Sequence, residues 1–325
     1  MIHPNSPAQA FKLKDAASYD SVARDFDHYT ERTALPLARR MIEMAKLSPS
    51  DQALDVGTGT GIVALQAARE LGQGGKVLGI DLSAAMMGLA TAKAAQAGLT
   101  ARVEFRQMDA EALTLAEGSF DVALSLFALL HFPHPLTALT EMFRVLRPGG
   151  RLALAVGSRP PLFSRPGLAH RFSRLPDLWH TLRGRQLTAP AALNGMVEKY
   201  FPATGEPEES ALAGSGLNRT HKVSDLVGQA GFVEVRTDWA GHQLLVDSPE
   251  EFWQIQRTFS SIARKRLDQT PPEKVALLQA EFLHACHTVQ ARGGRLVYPV
   301  AAFFIVAQRP HTQATQATQA GNAGN

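Results

Sequence analysis

Cysteine is almost missing: Cys286 stands alone in 325 residues. That excludes an internal disulfide, a zinc site built on several cysteines and an iron-sulfur cluster needing several thiolates, so no metal centre is expected. Cys286 reads as a small buried hydrophobe. Long apolar runs are missing too. No stretch reaches the roughly 18 apolar residues of a membrane-spanning helix, and Met1 to Asp15 lacks the apolar centre of a signal peptide. A soluble, unexported, cytoplasmic protein is the expectation. Large net charge is also absent: the formal value is +3, too small to imply nucleic acid as a partner.

What is present is enough apolar side chain, 45% of the residues, to bury a full core. From Gln52 the chain alternates short apolar runs (ALDV, KVLGID, RVEFRQMD, FDVALSLFA, RLALAV) with helix-like intervals at Gly61 to Leu71, Ser83 to Ala97 and Pro135 to Leu146. That beat predicts a parallel sheet with helices on both faces. RPGG, Arg147 to Gly150, reads as a helix stop and a tight turn. Ala16 to Leu47 reads as two helices ahead of the sheet. After Val156 the beat stops, and it resumes with a helix in VSDLVGQAGF and strands in VEVRTDWAGHQLLV and RLVYPVAAFFIVAQ. The predicted organisation is a helical cap (1–47), a main domain (48–309) carrying helical insertions at 158–218 and 249–290 that form a substrate lid, and a disordered polar tail (310–325).

The chemistry starts at ALDVGTGTG, where Gly57, Gly59 and Gly61 separate a strand from a helix. Missing side chains let the backbone approach a ligand there, and the helix start faces an anion. A dinucleotide fingerprint needs glycine where Ile62 stands, and a phosphate loop needs a lysine that is absent. Asp55 would repel a pyrophosphate but can accept hydrogen bonds from an ammonium group. Asp81 ends the second strand, where an acid takes the two hydroxyls of a ribose. Asp109 ends the third, placed to accept from an adenine amino group beside Ala110. Amino acid, ribose and adenine together describe S-adenosylmethionine.

The motifs LDVGTGTG, GIDLS, MDAEAL, FDVALSLFALLHFPHP and RVLRPGGRL, in that order, resemble the class I S-adenosylmethionine-dependent methyltransferases, in the small-molecule branch that includes quinone C-methylases. The resemblance is close over Tyr19 to Pro160 and looser over Val223 to Gln308. It implies a doubly wound, Rossmann-like α/β sheet of seven strands and S-adenosylmethionine as cofactor. It also implies that Asp55, Gly57, Thr58 and Gly59 hold the methionine part, Asp81 and Leu82 the ribose, and Asp109 and Ala110 the adenine. Tyr19, in the cap, approaches the cofactor. The family's Leu-His-His-x-x-Asp after strand four is here Leu129-Leu130-His131-Phe132-Pro133-His134, with one His and the Asp replaced.

The expected function is methyl transfer to an oxygen or carbon of an apolar small molecule such as a quinone, polyketide or lipid-like metabolite. A cofactor-binding protein without transferase activity is the alternative, and a nicotinamide oxidoreductase is disfavoured by Ile62 and Asp55. His131, at the end of a central strand, is the candidate base, against a structural histidine; Tyr29 is the second candidate. His134 reads as a turn residue or helix cap. Phe252, Trp253, Phe259 and Phe282 are candidates for an apolar chamber, against core packing. Arg159 to Arg185 holds six arginines, no lysine and one acid, Asp177. It reads as a solvated lid surface or as a contact with a membrane or an acidic carrier, and Glu206, Glu208 and Glu209 are candidate partners for it. No DNA-methylating Asn/Asp-Pro-Pro-aromatic motif follows strand four, and the lone cysteine excludes arsenic methylation.

Overall fold

The computed structural model describes residues 7–158, 186–202 and 216–311. The arginine-rich stretch, the three insertion glutamates and nearly all of the tail lie outside the described residues.

Three helices open the chain: α1 (Pro7–Asp20), α2 (Ala23–Thr33) and α3 (Leu35–Ala45). Two were expected over Ala16 to Leu47, and α2 and α3 answer to them, with Pro36 in the first turn of α3, a position that tolerates its missing N–H. The additional helix is α1, which begins ahead of that stretch. The alternating part follows as β1 (Gln52–Val56), α4 (Ile62–Glu70), β2 (Lys76–Asp81), α5 (Ala84–Gln96), β3 (Val103–Gln107), β4 (Phe120–Leu126), a short 3-10 turn (Leu129–His131), α6 (Pro135–Val145) and β5 (Leu146–Gly157). Ser83 caps α5, its hydroxyl oxygen accepting from the Met86 N–H. RPGG does not stand apart as a turn. It enters β5 as a bulge, marked by a register shift against β4, with Gly149 at φ +76°.

The second half supplies β6 (Gln186–Thr188), α7 (Ala191–Tyr200), α8 (Gly216–Gln229), β7 (Val233–Val246), α9 (Pro249–Phe259), α10 (Ser261–Asp268), α11 (Pro272–Ala291) and β8 (Arg295–Gln308). The sheet runs β3-β2-β1-β4-β5-β8, with β7 on the far flank of β8. Strands β1 to β5 are parallel, and β8 is antiparallel to both β5 and β7. These are the seven expected strands in doubly wound order. The three-residue β6 is an eighth, parallel to the first residues of β8.

Two-residue alternation sorts the strand side chains between two cores. Ala53, Val122, Leu124, Ala153 and Ala155 pack under α3 and α4. Leu54, Val56, Leu152, Leu154 and Val156 pack under α6 and α8. Burial on both faces explains why these strands read as nearly continuous apolar runs. Past the Gly157–Ala302 pair, where β5 ends, β8 and β7 continue together. This extension carries a third core made by α7, α9, α10 and α11.

Candidate active site

The strand order reverses between β1 and β4, so the chain leaves the sheet in opposite directions and a crevice opens at the carboxyl ends. A cavity of about 400 Å³ lies there. Its floor is the glycine turn and the ends of β2 to β4, its roof is α1 and α2, and its far wall is the start of β8 with Phe259.

Gly57 and Gly59 line it with φ of +70° and +54°. A Cβ on Gly57 would overlap the Ala128 Cβ, so the residue must be glycine for conformation and for space. Asp81 sits against the turn: one carboxylate oxygen accepts from the Gly59 N–H and the other from the Ser83 N–H, each at 3.0 Å. Burial raises its pKa above the usual range, and these N–H bonds counter part of the rise. Each oxygen keeps a further lone pair for a diol. Leu82, Asp109 and Ala110 complete this side.

Asp109 brings a partner the sequence did not reveal. Lys12 of α1, only 4% exposed, reaches its carboxylate at 2.7 Å and the Glu111 carboxylate at 2.7 Å. Glu111 in turn accepts from the His134 N–H at 2.8 Å; His134 is the residue that caps α6, without a side-chain bond.

Asp55 and Thr58 stand behind that lining. Both are buried, and neither lines the cavity. Asp55 accepts from the Thr58 hydroxyl at 2.6 Å and from the Ala64 N–H at 3.0 Å, so it braces the turn and the first turn of α4 from below. Its other oxygen, Oδ1, is buried and has no hydrogen-bond partner among the described residues. Burial pushes its pKa up to about 7 despite those two bonds.

On the other side, His131 lines the cavity between two α1 residues. Its Nδ1 lies 3.1 Å from an Asp15 oxygen and its Nε2 3.2 Å from the Tyr19 hydroxyl. Lys265 of α10 holds the other Asp15 oxygen at 2.6 Å. Burial alone would raise the Asp15 pKa; the hydrogen bond and charge of His131, then Lys265, hold it well below the usual range. Tyr19 is pushed up to about 12 by burial, against the Arg264 guanidinium stacked 4.2 Å over its ring. The ionised Asp15 takes the Nδ1–H, which leaves Nε2 facing the Tyr19 hydroxyl, a group that can donate to it or accept from it. The neighbouring Phe127 lines the cavity at φ +64°, a strained conformation at the end of β4.

Other candidates fall elsewhere. Tyr29 packs in the third core with Phe252, Trp253 and Phe282, so it offers no base to the cavity and those three line no chamber. Phe259 alone of the four aromatics reaches the cavity. Lys12, Asp15, Arg264 and Lys265 were missed, because nothing in their local spacing marks them.

A doubly wound sheet with a glycine turn, a buried acid and a partly aromatic cavity at its switch point has the layout of an α/β enzyme that binds its ligand there. The comparisons with known proteins agree. A family model described as a methyltransferase domain matches residues 54–154. The nocamycin O-methyltransferase of Saccharothrix syringae is 31% identical over 87% of this chain and 95% of its own length. The ubiquinone/menaquinone biosynthesis C-methyltransferase UbiE of Stutzerimonas stutzeri is 33% identical over 54% of this chain and 70% of its own. The YcgJ protein of Bacillus subtilis shares the fold, with a TM-score of 0.51 at 19% identity over 85% of this chain and 98% of its own. The chain belongs to the class I S-adenosylmethionine-dependent methyltransferases: it is an enzyme that uses S-adenosylmethionine to methylate small molecules.

Proposed function

We propose that the acceptor is an apolar small molecule, a quinone, polyketide or lipid-like metabolite, methylated on an oxygen or an enolisable carbon that His131 deprotonates. One observation carries this reading: the Asp15–His131–Tyr19 chain opens into a cavity that is also lined by Phe26, Leu126, Phe127, Phe259 and Val300. The O-methyltransferase and C-methyltransferase relatives support both transfer modes.

The glycine turn, Asp81 and Asp109 would hold the cofactor's methionine, ribose and adenine parts. When bound, the cofactor supplies a methyl group already activated by a sulfonium. The chain then has to align the acceptor, exclude water and remove a proton. In this reading Tyr19 yields its hydrogen bond at His131 Nε2 to the acceptor hydroxyl. As the methyl is transferred, Nε2 takes the hydroxyl proton. The imidazolium formed is stabilised by Asp15, whose charge Lys265 keeps in place. Residues 1–47 would act as the cap and 48–309 as the transferase domain, with α7 and α9 to α11 covering the acceptor side.

The test incubates the full chain with methyl-labelled S-adenosylmethionine and a panel of hydroxyquinones, phenolic polycycles, amines and carboxylic acids, and maps the labelled atom by NMR. Label on an oxygen or ring carbon of the apolar members, lost in His131→Gln, is the expected result. Label on the amines or carboxylates alone would refute it.

A further inference from the structure

Four hydroxyl-bearing side chains line the cavity: Tyr19, Thr30, Thr33 and Tyr298. Three are engaged. Tyr19 bonds His131 Nε2 at 3.2 Å, and the two threonines, on α2, donate to the Phe26 and Tyr29 carbonyls at 2.5 and 2.8 Å. The Tyr298 hydroxyl has no hydrogen-bond partner among the described residues, and its oxygen is not one of the polar atoms sealed from solvent. Its surroundings are apolar: Phe259 lies 6.0 Å away ring to ring, and Pro299 and Val300 also line the cavity. Burial, and then the neighbouring Tyr19, push its pKa up, so it remains a neutral phenol that can donate and accept. It is also firmly placed. Tyr298 lies where β8 has passed the end of β5, with Leu244 of β7 as its cross-strand partner.

Water meets such a hydroxyl until a ligand displaces it, and a ligand that covers it gains by supplying a hydrogen-bond partner in the water's place. The rings between Tyr298 and the base give the ligand's outline. From His131 the wall runs to Tyr19 (5.4 Å), Phe26 (5.8 Å), Phe259 (5.0 Å) and Tyr298 (6.0 Å), each step a ring-to-ring contact. One polar atom stands at each end of an aromatic surface. We infer that Tyr298 is a specificity residue that binds a second oxygen of the acceptor, remote from the methylated one, so that the preferred acceptor is a flat apolar body oxygenated at both ends. This rests on the proposed methyl transfer at His131, because that assignment fixes which end reacts.

Matched probes test it: 2-naphthol, with one oxygen, and 2,6-dihydroxynaphthalene, with a second at the far end. Binding of each to the full chain loaded with S-adenosylhomocysteine is measured by titration calorimetry, and labelled-methyl transfer is measured separately. The wild type is expected to bind the diol about tenfold more tightly, a difference of about 1.4 kcal/mol. In Tyr298→Phe, which deletes a single oxygen, the ratio is expected to fall to about two, the statistical advantage of two equivalent hydroxyls. S-adenosylhomocysteine titration reports whether the variant is folded. A wild-type ratio near two, a ratio unchanged in the variant, or no binding of either probe overturns the inference. Discrimination that depends on Tyr298 without methyl transfer to either probe would uphold the remote-oxygen site and count against the reaction assigned to His131. Transfer with a ratio indifferent to Tyr298 would do the reverse.

Discussion

His131→Gln is the most direct perturbation of the proposed chemistry. Glutamine can still bond Tyr19 and Asp15, but it cannot accept a proton at neutral pH. An acceptor phenol with a pKa of about 10 is roughly 0.1% ionised at pH 7. Without a base, transfer would draw on that fraction alone, a loss of about 10³ in kcat, or about 4 kcal/mol of barrier. This lies within the 10² to 10⁴ usual for general base catalysis. The same account fixes a pH signature. The variant should regain about tenfold per pH unit as the acceptor ionises, and approach the wild type near pH 10. Asp15→Asn should show the same direction with a smaller loss, about 10- to 100-fold, because the imidazole remains but loses the carboxylate that orients it. Steady-state labelled-methyl transfer from pH 6 to 10 reads both. A His131→Gln enzyme within twofold of the wild type at pH 7, on an acceptor of pKa 10, would refute the reasoning.

Three further predictions concern the cofactor side. Asp81→Ala removes the acceptor set for the ribose diol and should weaken S-adenosylhomocysteine binding about 100-fold by calorimetry, two charge-assisted bonds at about 1.5 kcal/mol each. Gly57→Ala places a Cβ on Ala128 at φ +70° and should cost about 2–4 kcal/mol of stability in urea unfolding. Asp55 gives a pH effect with a definite sign. Its folded pKa of about 7 lies above the ordinary aspartate value of 3.8, so between those values the folded chain holds a proton that the unfolded chain has lost. Stability therefore falls as pH rises through that window, by up to about 1.4 kcal/mol per unit. Asp55→Asn, which keeps an oxygen for Thr58 and Ala64, should gain about 3 kcal/mol on the wild type between pH 4 and pH 8. A gap that does not change with pH would contradict this.

The sheet and the convergence of Gly57, Asp81 and Asp109 on one cavity were legible in the sequence, because each is a local event. A strand, a glycine turn and a helix start are contiguous, so Gly57, Asp81 and Asp109 declare their places by spacing alone. Asp55 shares that spacing but bonds Thr58 and Ala64 beneath the turn: which way a carboxylate at a strand end faces depends on one side-chain rotation, which no pattern encodes. The aromatics of α9 show a second limit. Phe252 and Phe259 are seven residues apart and share a helix face, yet stand about 10 Å apart along the axis. Periodicity reports the face but not the height, and the height decides that Phe252 fills the third core while Phe259 meets the cavity. The acceptor side draws on α1, α2, α10 and β8, whose meeting is purely tertiary.

Helix α1 was the least legible element, and the reason is functional. Lys12, Asp15 and Tyr19, at i, i+3 and i+7, place a cation, an anion and a phenol on the inward face, where an apolar stripe would have marked a packed helix. Each meets a complement on a different part of the fold: Lys12 meets Asp109 and Glu111, Asp15 meets His131 and Lys265, and Tyr19 meets His131. A rotation by one residue, 100° about the axis, would part Lys12 and Asp15 from all four of these partners at once. Each separation would leave buried charge uncompensated, at about 3–5 kcal/mol per broken pair. The polar face thus contributes register more than adhesion. One docked helix closes the Asp109 end of the cavity and orients His131 at the other, so the two halves of the site form together.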